Sequence, residues 1–475
     1  MTLVLSILTP KPGKGKGKLN YIDEIEDRSP AGIAAALGRL ITAGRLAPGD
    51  RLPTVRELAG ALAVSPATVS HAWQALAGIG LIVSRGRGGT FVRDAAPNWL
   101  PARSHSMVGN HRTARIDLSR GTPDPELLPP LGPALSRVSQ RADTSVYQDL
   151  PVIPELLQVL TETWPFRAES ITVVDGALDA ISRSLDEVTR FGDRVIVEDP
   201  GFPPFFDLLD QAGLERLPVA IDREGIIPVA FEAALRLSPA AVILQPRAQN
   251  PTGASMTPER AHELARLLSA HKRNAQTVVI EDDHSGEIST APDVSLGRWL
   301  HGRVLHVRSF SKSHGPDLRI AGLGGPASLV DRIVARRMLG PGWTSRMLQS
   351  ILHDLLTDTA SAAHVARARE VYFARQNALA DALTGFGLPA PRSDGINTWL
   401  AVADERDALI QLAAAGVRVA GGSPFFSAGT SGRRESFIRV TAGVLTDEVS
   451  SVARAIALAA GPVAPDLHTL ESRWA

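Results

Sequence analysis

The feature that most constrains the fold is an alternation of short β-rich runs and helical patterns, which continues from about residue 116 to the C-terminal region. The runs are rich in Val, Ile and Leu, and turn or polar residues follow each of them. They occupy residues 171–174, 195–197, 241–244, 277–280 and 303–307. This alternation predicts an α/β domain with a doubly wound, mostly parallel sheet. Ligands of such sheets bind beyond the carboxyl ends of the strands, so the polar residues after the runs are the candidate site residues.

Three of the runs lead into polar motifs, and two arginines follow later in the chain. The motifs are QNPTG at 249–253, EDDH at 281–284 and SFSK at 309–312. Arg319 follows the last motif, and Arg439 lies in SFIRVTAG. Taken singly, Asn250 is typical of a turn, Asp282 of a helix N-cap and Arg439 of an exposed strand. Their joint occurrence in this order favours one shared site.

A lysine, a carboxylate and several phosphate donors are the groups that pyridoxal phosphate chemistry requires. The amine forms an imine with the aldehyde, the carboxylate keeps the ring nitrogen protonated, and the donors hold the phosphate. In order and spacing, NPTG, EDDH and SFSKSHGPDLR resemble the motifs of fold-type I aminotransferases, and the likeness extends from residue 116 to the C terminus. The resemblance implies pyridoxal 5'-phosphate as cofactor and a smaller C-terminal subdomain beside the sheet.

The same resemblance implies a role for each matching residue. Lys312 corresponds to the Schiff-base lysine and Asp282 to the partner of the pyridine nitrogen, and these two are the expected catalytic residues. Asn250 is expected to donate to the ring hydroxyl oxygen, and Phe202 is expected to stack on the ring. Arg439 matches the residue that binds a substrate α-carboxylate, which implies an amino acid or a similar amine acid as ligand. The expected phosphate ligands are Ser309, Ser311 and Arg319.

Two positions depart from the aminotransferase pattern. His284 stands where the family commonly has a Tyr beside the ring oxygen, and we expect it to donate a hydrogen bond there. The phosphate turn begins with Asp175, whose charge opposes a bound anion unless the side chain points away. The backbone N–H groups of Gly176 and Ala177 at a helix start still suit a phosphate. Tyr147 lies in a region that relatives use to reach the phosphate of the partner subunit, so it is a further candidate.

Residues 29–94 have a different organisation, with three helical patterns followed by a basic glycine hairpin. Pro30 opens the first helix, Thr54 and Glu57 form a capping box for the second, and Ser65 precedes the third. Runs at 81–84 and 90–93 predict two strands joined by RGRGG at 85–89. Three helices and a basic hairpin are the winged helix-turn-helix plan, in which the third helix enters the major groove of DNA.

The stretch GDRLPTVRELAGALAVSPATVSHAWQALAGIGLIVSRGRGGTFV at 49–92 resembles the GntR family. The resemblance implies contacts to phosphates or grooves from the arginines, and contacts to base edges from the third helix. The implied DNA-binding residues are Arg51, Arg56, Arg85, Arg87, Thr68, Ser70 and His71. A small helical domain that binds protein is the alternative interpretation of the same pattern.

Charge and composition set the remaining expectations. The chain of 475 residues has no net charge, yet residues 1–94 hold 12 Lys and Arg against 7 Asp and Glu. This surplus favours contact of the N-terminal end with a polyanion. Residues 1–28 are expected to form a flexible basic arm and residues 95–115 an exposed linker, ahead of an aminotransferase-like domain at 116–475. The absence of Cys excludes thiolate metal sites, and the absence of a long apolar run predicts a cytoplasmic protein without a membrane partner.

A GntR-like module ahead of an aminotransferase-like domain resembles the MocR family of transcriptional regulators. The resemblance implies a homodimer that binds promoter DNA and senses an amino acid, an amine or pyridoxal phosphate through Lys312. A working aminotransferase that carries a DNA-binding module is the second hypothesis, because every residue of the first half-reaction is present. A regulator whose cleft binds a different small molecule is the third.

Overall fold

The computed structural model of the chain describes residues 22–78, 81–93, 103, 114–139, 150–427 and 435–462. The chain is divided into two compact units, Met1–Trp99 and Leu100–Ala475. Residues 1–21 of the predicted arm, most of the predicted linker at 95–115 and Tyr147 lie outside the described residues. Each unit is described by itself below.

The N-terminal unit contains three α-helices among its described residues, and side-chain caps fix where they begin. They are α1 (Pro30–Thr42), α2 (Val55–Leu62) and α3 (Pro66–Gly78). The Ser29 side chain accepts a hydrogen bond from a backbone N–H three residues later. Thr54 and Glu57 form the reciprocal capping box, with the Thr54 N–H donating to Glu57 Oε2 over 2.7 Å. Ser65 Oγ accepts from the Thr68 N–H over 3.1 Å. These hydrogen bonds confirm the three predicted helix starts.

A small antiparallel sheet completes the N-terminal unit. Its strands, in the order β1-β3-β2, are β1 (Arg51–Leu52), β2 (Ile82–Ser84) and β3 (Thr90–Val92). The core contains Leu37, Leu58 and Leu76, one from each helix, and all three are fully buried. Burial of each such side chain stabilises the unit by roughly 1.5–3 kcal/mol. Three helices and a β-hairpin wing confirm the predicted winged helix-turn-helix.

The larger unit is built on a sheet of eight strands within the described residues, in the order β5-β12-β11-β10-β9-β6-β7-β8. The strands are β5 (Ser170–Val174), β6 (Arg194–Asp199), β7 (Glu215–Asp222), β8 (Gly225–Ile226), β9 (Ala241–Leu244), β10 (Val278–Asp283), β11 (Val304–Ser309) and β12 (Ala321–Gly325). In the centre, β11, β10, β9, β6 and β7 pair in parallel. Within this sheet, only β12 and β8 run antiparallel to their neighbours. The predicted doubly wound, mostly parallel sheet is therefore confirmed.

Two of these strands are longer than the sequence pattern predicts. β10 continues through Asp283, and β11 continues through Ser309, whereas the apolar runs end at 280 and 307. The extra residues are polar but buried, and side-chain partners compensate for the burial of some of them, as when Arg247 pairs with Asp283. An apolar pattern cannot detect a strand end whose polar groups are satisfied in this way.

Helices cover both faces of the large sheet. Among the described residues of this unit, the α-helices are α4 (Leu131–Val138), α5 (Pro154–Glu162), α6 (Ala177–Val188), α7 (Pro203–Ala212), α8 (Pro228–Leu235), α9 (Pro258–Ser269), α10 (Ala327–Met338), α11 (Arg346–Thr357), α12 (Thr359–Gly385), α13 (Glu405–Ala414) and α14 (Val449–Ala460). α6, α7 and α10 pack on one face, and α8 and α9 pack on the other. A separate hydrophobic core therefore lies on each face of the sheet, between the sheet and the helices that cover it.

A smaller subdomain follows the large sheet. Its three-stranded antiparallel sheet has the order β13-β16-β15, from β13 (Thr398–Val402), β15 (Ala420–Gly421) and β16 (Ser436–Val440). β14 (Val417–Arg418) pairs in parallel with β4 (Ile116–Asp117), so the chain before the large sheet joins this subdomain. None of the described helices combines the length and apolar character that a membrane crossing requires.

Candidate functional site

The polar motifs meet because the strands that precede them end at the same edge of the sheet. β9, β10 and β11 run in parallel, so the residues after Leu244, the end of β10 and the loop with Lys312 are neighbours. Across β12, the register aligns Ser309 with Ala321 and Ala321 with Val174. This alignment places Arg319 and the turn after β5 beside the same edge of the sheet. The fold thus brings Asn250, Asp282, Lys312 and Arg319 to one edge of the sheet, at the carboxyl ends of the strands, and this region is called the cleft below.

Lys312 lies half-buried in this cleft, where its amine has an altered acidity. Its Nζ donates to the Gly121 carbonyl over 2.5 Å. Burial lowers the pKa of Lys312 to about 8, with the positive charge of Arg439 acting in the same direction and the charge of Asp282 opposing both effects. A lysine with such a pKa is neutral, and therefore nucleophilic, in a useful fraction of molecules near neutral pH.

Asp282 is 2% exposed and uses one of its two carboxylate oxygens. Oδ2 accepts from Gln245 Nε2 over 2.8 Å, whereas Oδ1 has no hydrogen-bond partner among the described residues. Burial raises the pKa of Asp282 to about 7. An unpartnered buried carboxylate oxygen is costly, and a protonated ring nitrogen is a group that would satisfy it. Asp282 therefore fits the pyridine ring of pyridoxal phosphate.

Arg439 and Asn250 are joined on the other side of the cleft. Arg439 lies on the central strand β16 of the small sheet, and its Nη1 donates to Asn250 Oδ1 over 3.1 Å. Its Nη2 donates to the Ser119 carbonyl over 2.5 Å. Since the Asn250 oxygen accepts from Arg439, the side-chain amino group of Asn250 is the end that can donate to a ring oxygen. Burial lowers the pKa of Arg439 to about 10, which leaves it positively charged at neutral pH and suited to a carboxylate.

Gly121 belongs to this part of the site, although the sequence did not single it out. Its φ is +63°, and a Cβ there would lie 3.0 Å from Arg439 Nη1. Its carbonyl accepts from Lys312, so the same residue touches both cations. Any side chain at this position would be strained and would displace the guanidinium.

The phosphate end of the cleft is formed by the start of α6 and by Arg319. Gly176 is the N-cap of α6 with φ +105°, and a Cβ there would lie 3.0 Å from Arg319 Nη2. Arg319 Nη2 also donates to the Asp175 carbonyl over 3.2 Å. The helix start at Gly176 and Ala177 and the guanidinium are thus adjacent, which suits an anion. Ser309 and Ser311 lie at the same edge, and the Ser311 N–H donates to Ser309 Oγ over 3.3 Å.

The acidic residue of the phosphate turn does not oppose an anion here. The Asp175 carboxylate accepts from Arg337 Nη2 over 2.9 Å and from Thr344 Oγ1 over 2.7 Å. These hydrogen bonds turn the charge toward α10 and pair it with a cation. The Asp175 side chain is therefore held by Arg337 and Thr344, as expected of an acidic group that points away from a bound anion.

His284 directly follows β10, and its ring bonds to a backbone carbonyl. Its Nε2 lies 2.9 Å from the Ala248 carbonyl, which only accepts, so the proton of the ring is on Nε2 and is already used. Burial lowers the pKa of His284 to about 4, so the ring carries no second proton at neutral pH. The expectation that His284 donates to a ring oxygen stays a prediction, and it requires the Nε2 proton to leave the Ala248 carbonyl. Nδ1, the acceptor nitrogen, lies 3.4 Å from Ser285 Oγ.

Phe202 is half-buried at the carboxyl end of β6, where it precedes α7. Its ring packs edge-on against Phe205 with centroids 5.2 Å apart. This packing fixes the ring at the cleft edge, and its stacking role stays a prediction.

No group of three or more His, Asp or Glu residues able to hold a metal occurs among the described residues.

The predicted DNA-binding residues lie on α2, α3 and the wing of the N-terminal unit. Arg56 and His71 are exposed, and Thr68 and Ser70 are half-buried on α3. Arg51 lies on β1, and its guanidinium approaches Gly89 of the wing. Arg85 is exposed at the wing with its guanidinium 5.2 Å above the Phe91 ring. The side chain of Arg87 lies outside the described residues, although its backbone is part of the wing.

Several residues of the cleft were missed by the sequence analysis. Gln245 directly follows β9, so the rule of reading polar residues after each strand could have found it. Ser119 and Gly121 contribute backbone carbonyls, and Phe425 lies with its ring centroid 5.0 Å from the Arg439 guanidinium carbon. No local pattern signals these three, because their partners are distant in the chain.

Comparison with known families and proteins gives matches along both units. Residues 113–456 match the model of aminotransferase class I and II, and residues 31–92 match that of bacterial regulatory proteins, gntR family. The chain is 36% identical over 438 residues to the vitamin B6 salvage pathway transcriptional repressor PtsJ of Salmonella typhimurium, covering 90% of this chain and 98% of that protein. It is 29% identical over 417 residues to the probable rhizopine catabolism regulatory protein MocR of Rhizobium meliloti, covering 79% of each.

Solved structures show the same fold for the larger unit. The α-aminoadipate aminotransferase LysN of Thermus thermophilus superposes with a TM-score of 0.65 at 22% identity, covering 75% of this chain and 93% of that one. The fold-type I architecture expected from the motifs is thereby confirmed.

Proposed function

The chain belongs to the aminotransferase class I and II family and to the GntR family, in the MocR-type arrangement, and from this premise we propose that it is a transcriptional regulator that binds pyridoxal 5'-phosphate at Lys312. The DNA-binding unit is the winged helix-turn-helix at the N terminus. The observation that carries the cofactor proposal is the buried Asp282 with one unpartnered oxygen, in a cleft that also holds an amine of lowered pKa.

In this proposal, different residues of the cleft bind different parts of the cofactor. Asp282 would hold the ring nitrogen, Asn250 would donate to the ring hydroxyl oxygen, and Phe202 would cover one face of the ring. The phosphate would lie at the start of α6 with Ser309, Ser311 and Arg319. When bound, the cofactor supplies an aldehyde that links to an amine and a ring that withdraws electrons from it.

The second ligand in this proposal is an amino acid or a similar amine acid, with the cofactor itself as the other candidate signal. Arg439 is 2% exposed and positively charged, which suits a carboxylate that enters with its amine beside Lys312. The name of the relative PtsJ refers to vitamin B6 salvage, and this supports a signal that depends on the cofactor. Either ligand regulates only if it binds two states of the protein with different affinity.

The small number of lysines makes the cofactor proposal easy to test. Beyond residue 18 the chain has only Lys272 and Lys312. Borohydride reduction of the protein loaded with pyridoxal phosphate, followed by peptide mass spectrometry, should locate the adduct on Lys312. Lys312→Ala should abolish it, and Lys272→Ala, which changes an exposed lysine, should not. An adduct on another lysine, or none, overturns the proposal.

We propose in addition that the larger unit forms a homodimer through the face made by α4 and α11. These helices pack together and expose the apolar side chains of Leu135 (48%) and Met347 (47%). Light scattering after gel filtration should give a dimer that Met347→Glu weakens. Leu458→Glu, which places the same charge at a residue 68% exposed on α14, is the matched control and should leave the dimer intact.

An active aminotransferase is a second candidate function, and the lowered pKa of Lys312 beside Arg439 is the observation that favours it. The two proposals differ in turnover. A regulator should convert at most one equivalent of amino acid per subunit, whereas an enzyme should turn over repeatedly with a keto acid. Operator binding that changes with the amino acid, without repeated turnover, supports the regulator.

A further inference from the structure

Gln245 is a buried amide that connects two groups of the candidate cofactor site. It directly follows β9 and is 3% exposed. Its Nε2 donates to Asp282 Oδ2 over 2.8 Å, and its Oε1 accepts from the backbone N–H of Asn250 over 2.8 Å. One side chain therefore contacts both the carboxylate proposed for the ring nitrogen and the residue proposed for the ring hydroxyl oxygen.

The backbone of Asn250 determines which way this amide points. A backbone N–H only donates, so the oxygen of the Gln245 amide must face Asn250. The amino end must then face Asp282. A carboxylate that accepts such a bond is favoured in its ionised form, and the bond to Oδ2 leaves Oδ1 for a ligand.

Burial and neighbouring carboxylates act against the ionisation of Asp282. Burial raises its pKa to about 7, and the neighbouring Asp283 carboxylate acts in the same direction. Glu198 lies close enough to interact with Asp282, and burial raises the pKa of Glu198 to about 8. The Gln245 bond is the largest effect that opposes burial, ahead of the charges of His306 and Lys312.

We propose that Gln245 is a positioning residue that holds Asp282 ionised and aimed, and that it thereby makes the cleft select ligands with a protonated ring nitrogen. This inference rests on the proposed function, since it assumes that pyridoxal phosphate binds at Lys312. Gln245 acts on the choice between ligands through its contact with the Asp282 carboxylate. No contact between Gln245 and the ligand is required.

The test uses two ligands that differ only in the ring atom. The dissociation constants of pyridoxal phosphate and of its 1-deaza analogue, in which carbon replaces the ring nitrogen, are measured on the full chain freed of cofactor. Gln245→Leu and Gln245→Met replace the amide with apolar side chains of similar size, so each removes both the donor toward Asp282 and the acceptor toward Asn250. Gln249→Met is the matched control, because Gln249 is a buried amide of the same loop that bonds Glu198, Pro200 and Thr252 instead.

The expected result is a change in preference between the ligands. Loss of a hydrogen bond to a charged group should weaken pyridoxal phosphate binding by about tenfold to a hundredfold in both Gln245 variants. Binding of the deaza analogue should change by less than about threefold, and Gln249→Met should affect both ligands equally. Circular dichroism spectra and melting curves establish that the variants are folded.

Three outcomes would overturn the inference. In the first, the Gln245 variants weaken both ligands equally, which is the result of a structural role alone. In the second, the wild type binds both ligands equally, so the ring nitrogen is not recognised. In the third, the wild type does not bind pyridoxal phosphate, and then the proposed function fails as well. The first outcome leaves the proposed function standing, and the second leaves binding at Lys312 standing but removes the role proposed for Asp282.

Discussion

The acidity of Lys312 can be altered in opposite directions by two neighbouring substitutions. In the wild type the pKa of Lys312 is lowered to about 8 from an ordinary 10.5. At pH 7 a lysine with pKa 8 is neutral in about 10% of molecules, against about 0.03% at 10.5, so its reactivity differs by roughly 300-fold. Arg439→Met removes a positive charge and should raise the pKa, whereas Asp282→Asn removes a negative charge and should lower it.

The size of the change follows from the arrangement around Gly121, which adjoins both Lys312 and Arg439. Two unit charges roughly 5–10 Å apart interact by roughly 1.5–3 kcal/mol at an effective dielectric constant of about 20. We therefore expect Arg439→Met to raise the pKa of Lys312 by about one unit or more and to reduce its reactivity at pH 7 about tenfold. Arg439→Lys keeps the charge and should have a much smaller effect.

The assay is competitive labelling of the cofactor-free protein with 1-fluoro-2,4-dinitrobenzene between pH 6 and pH 11. Peptide mass spectrometry separates Lys312 from Lys272, and the exposed Lys272 serves as the internal reference for the reagent. The reasoning is refuted if Lys312 of the wild type titrates as an ordinary lysine. It is equally refuted if the two substitutions shift the titration in the same direction.

Three further predictions concern the DNA-binding unit and the buried carboxyl of β6. The double variant Arg85→Ala, Arg87→Ala should weaken operator binding, measured by fluorescence anisotropy. It should also reduce the slope of log K against log salt by about 0.9 for each phosphate that is no longer neutralised. An unchanged slope would contradict the assignment of the wing to DNA contact. Thr54→Ala should destabilise the N-terminal unit by about 1 kcal/mol in urea unfolding through loss of the α2 cap, whereas Thr54→Ser should retain most of the stability. Since burial raises the pKa of Glu198 from 4.5 to about 8, the folded state keeps a proton that the unfolded state releases, and stability falls from about pH 4.5 to pH 8. Glu198→Gln stays neutral, so it should lose less stability than the wild type between pH 6 and pH 9, and equal losses would contradict the assigned pKa.

The sequence determined the local features of this protein. Capping side chains at Ser29, Thr54 and Ser65 fixed where three helices start, because a cap and its helix are neighbours in the chain. Apolar runs located the strands, and the rule for parallel sheets then placed Asp282 and Lys312 at one edge. The chemical types of these residues were sufficient to indicate the cofactor class.

Only the tertiary structure decided how the site is completed. Lys312 and the Gly121 carbonyl are 191 residues apart, and Arg439 and the Ser119 carbonyl are 320 residues apart. Asp175 was ambiguous until Arg337, which is 162 residues away, accounted for its charge. His284 was expected to donate, but the Ala248 carbonyl uses its proton. Protonation and direction depend on which groups meet in space, and a linear pattern records the groups without their partners.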